Sequence, residues 1–166
     1  MRSTGSRLAC TLLLTAACAA PDGEPIEITH DVCTPIALSA DGADPAQRAG
    51  VIAAMELWAA RGVATLALAS PAAIELRFEA AAPPFHGLYD DRTSVVYVNR
   101  SLTDPAALAI VIAHELGHAF GLLHVEQRER ASLMNPGNLA TPPTEADRRA
   151  VDALWGPCGA AAPLSP

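Results

Sequence analysis

Apolar positions recur three and four residues apart across residues 44–62 (DPAQRAGVIAAMELWAARG), which puts Val51, Ala54, Met55 and Trp58 on one side. That spacing predicts a half-buried helix, and such a stripe is core more often than a binding surface. Asp44 is placed to cap the helix, Pro45 to open it and Gly62 to stop it. A second helix is predicted over SLTDPAALAIVIAHELGHAFG, with Asp104 as cap and Pro105 as first residue. A third is predicted over PPTEADRRAVDALWG, capped at Thr144 and ended by Gly156. Alternating apolar and polar residues predict strands at 26–29 (IEIT), 73–80 (AIELRFEA) and 93–99 (TSVVYVN), with a short strand at 85–91 (FHGLYDD) between the last two. Helices and strands are interleaved, without an internal repeat.

The chain has 166 residues, one domain by size, and 51% of them are apolar, which excludes global disorder. Aromatics are only 4%, so the core must rely on aliphatic side chains and alanine. A net charge of −7 argues against nucleic acid or an anionic membrane as an electrostatic partner. Arg2 and Arg7 precede a short apolar run, LACTLLLTAACAA, that ends in small residues. This reads as a signal peptide over residues 1–18, too short to span a bilayer. TAAC places Cys18 as the lipidated cysteine of a bacterial lipobox would stand, although Thr15 occupies a position where that box prefers Leu. Plain secretion with cleavage nearby is the alternative; on either reading the mature protein leaves the cytoplasm. A linker then covers 19–25, the folded domain 26–158, and an Ala- and Pro-rich loose tail 159–166. Cys10 goes with the signal, which leaves Cys33 and Cys158. In an oxidising compartment such a pair is most simply a disulfide, with two free thiols as the alternative. A loop that long would contribute ~4–5 kcal/mol on the chain-entropy model.

Candidate chemistry lies at the end of the second helix, in HELGHAFGLLH. His114 and His118 are four apart and share a helix face, so both imidazoles can reach one metal ion. Glu115 adjoins the first of them and can turn to the open side of the metal without binding it. Gly121 allows the backbone to leave the helix sharply, and His124 can then return as a third ligand. Three neutral histidines on Zn²⁺ leave a fourth position for water, which together with a neighbouring carboxylate is machinery for peptide hydrolysis.

HELGHAFGLLH followed by SLMNP resembles the metzincin clan of zinc metallopeptidases, and within it most resembles the matrixins. The resemblance implies that His114, His118 and His124 hold one catalytic zinc, that Glu115 is the general base, and that Met134 is the Met-turn residue beneath the metal. TEADRRAVDALWG resembles the matrixin C-terminal helix, ending as it does in Trp155-Gly156. Val125 stands where matrixins usually carry Ser. The implied fold is α+β: a single catalytic domain with a twisted, mostly parallel sheet, an antiparallel edge strand and three helices. The implied partner is an extended peptide or protein that adds to the edge strand at about 87–91, with NPGNLATPP walling the specificity pocket and the enzyme acting as a monomer. The only membrane association expected is through a lipid on Cys18. His86 with Asp90 and Asp91 could hold a structural ion such as Ca²⁺, but a solvated turn is the simpler reading. Cys33 could instead block the zinc, though the disulfide is simpler. A contrasting reading is a catalytically silent zinc-binding surface or adhesion module. The presence of Glu115 and the lack of a fourth protein ligand speak against it.

Overall fold

The computed structural model describes residues 25–158 except residue 64. The signal segment with Cys18, most of the linker and the tail at 159–166 lie outside the described residues. The elements in order are β1 (Ile36–Ser39), α1 (Pro45–Ala59), β2 (Leu66–Leu68), β3 (Ile74–Glu79), β4 (Gly87–Asp90), β5 (Val95–Asn99), α2 (Pro105–Ala119) and α3 (Glu145–Trp155). One five-stranded sheet runs β2-β1-β3-β5-β4. Its pairs are parallel except β4 with β5, so an antiparallel strand forms one edge. This is the α+β architecture expected, with three helices and a mostly parallel sheet.

Each helix starts where its cap dictates. Asp44 accepts from Gln47 N while the Gln47 side chain returns to Asp44 N, and Asp104 accepts from Ala107 N at 2.7 Å. Thr144 and Asp147 form the same reciprocal box at the start of α3. Caps of this kind are worth about 1 kcal/mol each. Val51, Ala54 and Trp58 are buried on α1, as the stripe predicts, while Met55 is half-buried at its margin. They meet Leu38, Ile74 and Leu76 of the sheet and Leu108, Ile112 and Leu116 of α2 in one core. Trp58 fixes α1 to α2 by donating its indole N–H to Ala113 O at 2.9 Å and by an edge-on contact with Phe120.

Two strands were not legible, and one predicted strand does not form. Residues 26–29 alternate in polarity, yet they run along the β4–β5 turn without a ladder, tied by Glu27 N to Asp91 Oδ2, Ile28 N to Asp91 O and the Tyr89 hydroxyl to Ile28 O. Ile28 remains 38% exposed although Ile26 packs against the core, so the alternation does not give one buried face. The first strand is β1 instead, a four-residue strand that starts directly after Pro35 and pairs on its two sides with β2 and β3. β2 is a three-residue edge strand, Leu-Ala-Leu, whose pattern carries little β signal.

Cys33 and Cys158 form a disulfide, with Cα atoms 4.9 Å apart across 125 residues of sequence. It ties the entry of the domain to the end of α3 and leaves no free Cys33 thiol to reach the histidines. No helix among the described residues is long and apolar enough to cross a membrane.

Candidate metal centre

The site begins with a helix that has almost no polar side. All but its first two residues, Ala107 to Ala119, are buried, including His114, Glu115 and His118. Packing on both flanks explains this, because α2 lies against α1 as well as β4 and β5. Three polar side chains in such a helix require partners.

His114 Nδ1 is 2.7 Å from Leu133 O and His118 Nδ1 is 2.8 Å from Leu122 O. A carbonyl only accepts, so in both rings Nδ1 carries the proton and donates it. Each Nε2 is thereby left as a lone pair facing into the site. After α2 the chain turns at Gly121, whose φ is +95°, with Gly121 N donating to His118 O at 2.8 Å. That reversal brings half-buried His124 back, so its Nε2 lies 3.2 Å from the Nε2 atoms of both His114 and His118. All three ligand atoms fall within 4.8 Å of one another.

The donor set fits zinc. Ligands at ~2.05 Å on tetrahedral corners stand about 3.3 Å apart, close to the two spacings seen here. His124 Nε2 has at most one proton and could satisfy only one of two facing lone pairs, whereas a cation satisfies all three nitrogens. Burial also holds the rings neutral: desolvation lowers His114 to about 4 and His118 to about 3, against a smaller opposing pull from the carbonyls that their Nδ1 atoms meet. They are ready ligands at any pH above that range. Both Nδ1 bonds to backbone carbonyls are the outer partners that orient zinc-binding imidazoles.

Met134 is buried against α2 at Gly117. A Cβ there would stand 2.5 Å from Met134 Sδ and 3.5 Å from Trp58 Cζ2. Glycine costs a helix interior about 1 kcal/mol, and the missing Cβ is the space that Met134 fills. The turn carrying Met134 is pinned by a residue that sequence reasoning missed. Asp147, 1% exposed, accepts from Ser132 Oγ and from Leu133 N at 3.0 Å, and caps its own helix through Thr144 N and Thr144 Oγ1 at 2.8 Å each. Leu133 offers its carbonyl to His114, so Asp147 sits one peptide away from ligand orientation. The spacing Thr144-x-x-Asp147 announces a capping box, but nothing in the sequence reveals its second duty. Asn135 closes the loop between His124 and Met134 through Val125 O at 2.7 Å and Arg130 O at 3.1 Å.

Glu115 points toward the edge strand. A Cβ on Gly87 would lie 2.9 Å from Glu115 Oε1 and 2.9 Å from Val111 Cγ1, so β4 passes α2 closely because residue 87 is glycine. Asn99 N donates to His86 O at 2.9 Å. Bonded pairs alternate in an antiparallel ladder, so Leu88–Tyr97 is bonded next and Gly87 and Tyr89 turn their N–H and C=O groups to the free edge. The Asp90 and Asp91 carboxylates serve the turn instead of gathering with His86. Asp90 takes Arg92 N and Thr93 Oγ1, and Asp91 takes Glu27 N. Among the described residues, the three histidines are the group that converges at metal-binding distance.

No family model matches the chain, and no curated protein does. Solved structures do match. One structure of myroilysin aligns at a TM-score of 0.59 with 12% identity, covering 82% of this chain and 88% of that one. Another aligns at 0.62 with 11% identity, covering 85% and 91%. The fold is shared with myroilysin. At such identity the likeness is one of architecture.

Proposed function

We propose that the chain is a zinc-dependent endopeptidase of the metzincin type, nearest in motif to the matrixins, with its catalytic domain over 26–158. The observation that carries this reading is the convergence of His114, His118 and His124, two of their Nε2 pairs at 3.2 Å, beside buried Glu115 and the free edge of β4. Zinc held by the three imidazoles would supply a Lewis acid for the scissile carbonyl and for water. Glu115 is the general base that takes the proton of the attacking water and passes it to the leaving amine. Its burial against Gly87 keeps the carboxylate aimed along the edge. Gly87 and Tyr89 offer backbone donors and acceptors to an extended peptide, which adds to the sheet as one more strand. An apolar cavity of about 430 Å³ lies between α1 and the first half of α2, closed by Leu139, Ala140 and Pro142 of the segment after Met134. The disulfide and the N-terminal leader support action outside the cytoplasm, either free or held by a lipid on Cys18, as a monomer with a single metal ion.

The competing reading, a zinc-binding adhesion module, differs in what it does to peptides. A pooled peptide library incubated with zinc-loaded protein should yield internal cleavage products by mass spectrometry. Products should vanish with a chelator and return with added zinc. Zinc binding without any product would favour the adhesion reading.

A further inference from the structure

The turn that carries Met134 continues into the segment that closes the cavity between α1 and α2, and one side chain joins the two. Gly137, with φ +70°, lets the chain fold back, and Asn138 N donates to Asn135 O at 3.1 Å. The half-buried Asn138 side chain then makes four hydrogen bonds. Its Nδ2 donates to Leu133 O at 3.0 Å and to Thr141 O at 2.7 Å, and its Oδ1 accepts from Ala140 N at 3.1 Å and Thr141 N at 2.8 Å. An amide has two protons to give and an oxygen with two lone pairs, so its whole capacity is used. Only carbonyls face Nδ2 and only N–H groups face Oδ1, which fixes the way round the amide sits. Farther along, Arg61 Nε donates to Pro143 O at 2.6 Å, so the segment 139–142 is held at both ends.

Leu133 O is also the acceptor of His114 Nδ1, at 2.7 Å. A carbonyl oxygen has two lone pairs, and here the His114 ring and the Asn138 amide fill both. We propose that Asn138 is a positioning residue: it holds the carbonyl that orients His114 and ties that carbonyl to the segment at 139–142. The proposal rests on the reading of the three histidines as a zinc site. Outer partners that set the direction of a ligating imidazole are worth about 10–100-fold in metal affinity. Leu133 is gripped on two sides, at its N–H by Asp147 and at its carbonyl by Asn138. Because Asn138 also holds Ala140 and Thr141, a displacement of the segment is passed to Leu133 O and so to His114. His118 lies outside this network, since its Nδ1 bonds to Leu122 O on the turn after α2.

Asn138→Ala removes all four bonds and leaves the histidines in place. In isotope-labelled, metal-free protein, the magnetic resonance of the His114 Nδ1 proton should shift while that of His118 stays at its native position. At saturating cobalt the visible absorption bands should move, because they report the arrangement of the ligands and not the stability of the fold. Zinc affinity, read by competition with a chromogenic chelator, should fall about ten-fold. Asn138→Asp keeps an acceptor for Ala140 N and Thr141 N but turns an oxygen toward Leu133 O. Its charge alone would favour a cation, so a fall in zinc affinity here too reports the lost donor. Native His114 resonance, cobalt bands and zinc affinity in both variants, whatever their stability, overturn the proposal and leave the zinc reading standing. Equal shifts of His114 and His118 overturn it as well, since the effect would then be general. A native chain that binds neither zinc nor cobalt overturns both readings.

Discussion

The two sides of the histidine cluster are built by different means. On the inner side everything is closed: His114 and His118 are buried, their Nδ1 protons are spent on Leu133 O and Leu122 O, and Met134 fills the space that Gly117 leaves. On the outer side the parts are open: His124 is half-buried on a loop, and β4 is an edge strand with the backbone groups of Gly87 and Tyr89 turned outward. The inner side fixes where the histidines are, and its polar groups are integral to the core. The outer side has spare hydrogen-bonding capacity, which suits a partner that arrives and leaves. Substitutions should therefore couple stability to metal binding on the inner side, and separate stability from activity on the outer side.

The largest loss should come from Asp147→Ala. It leaves Ser132 Oγ, Leu133 N and the Thr144 donors without their buried acceptor and removes the cap of α3. Chemical denaturation should show about 3–4 kcal/mol of destabilisation, and zinc affinity should fall at least about ten-fold because Leu133 O no longer holds His114. Gly117→Val should follow at about 3 kcal/mol, since Met134 and Trp58 occupy the space that the new side chain needs. If either variant kept native stability and metal affinity, the inner side would not be the rigid seat described.

Gly87→Ala tests the outer side. The new Cβ would displace Glu115 Oε1 from 2.9 Å, so peptide hydrolysis should slow by about ten-fold or more. Zinc content should be unchanged, and stability should alter by roughly 1 kcal/mol. Equal losses of stability and metal would erase the distinction between the two sides.

The last effect is one of pH, small near neutrality and growing with acidity. His114 and His118 are depressed by burial to about 4 and about 3, below the ordinary 6.5 that they recover on unfolding. Between these values the unfolded chain binds protons that the folded chain does not, so metal-free protein has their full contribution above 6.5 and loses it as pH falls toward 4. At pH 6 the loss is under about 1 kcal/mol per histidine. Thermal melts of chelated protein from pH 7 to 5 should show a falling midpoint, and a flat profile would contradict the burial.

What could be read from the chain follows the same division. Helix starts were legible because Asp44, Asp104 and Thr144 act locally, each on a backbone N–H three residues on. The convergence of the three histidines was legible because two of them share one helix face and Gly121 marks the turn that returns the third. β1 and β2 were not, since runs of only three or four mostly apolar residues owe their strand state to neighbours far away in sequence, as in the pairing of Leu38 with both Leu68 and Ile74. Residues 26–29 misled for the complementary reason, having a strand's alternation without a sheet to join. Asp147, Gly87 and Asn99 act across distances that no local pattern records. Asp147 meets Leu133 from 14 residues away, and Asn99 meets Phe85 from the next strand.

The central claim, that one helix supplies both metal ligands and a carboxylate that is not a ligand, is tested by two variants measured together for bound zinc and for peptide hydrolysis. Glu115→Gln should retain zinc at the native level while hydrolysis falls by 10²–10⁴-fold, the usual worth of a general base. His118→Ala should lose zinc and hydrolysis together. If Glu115→Gln cleaves as fast as the native chain at matched zinc loading, Glu115 is not the general base and the peptidase reading loses its chemistry.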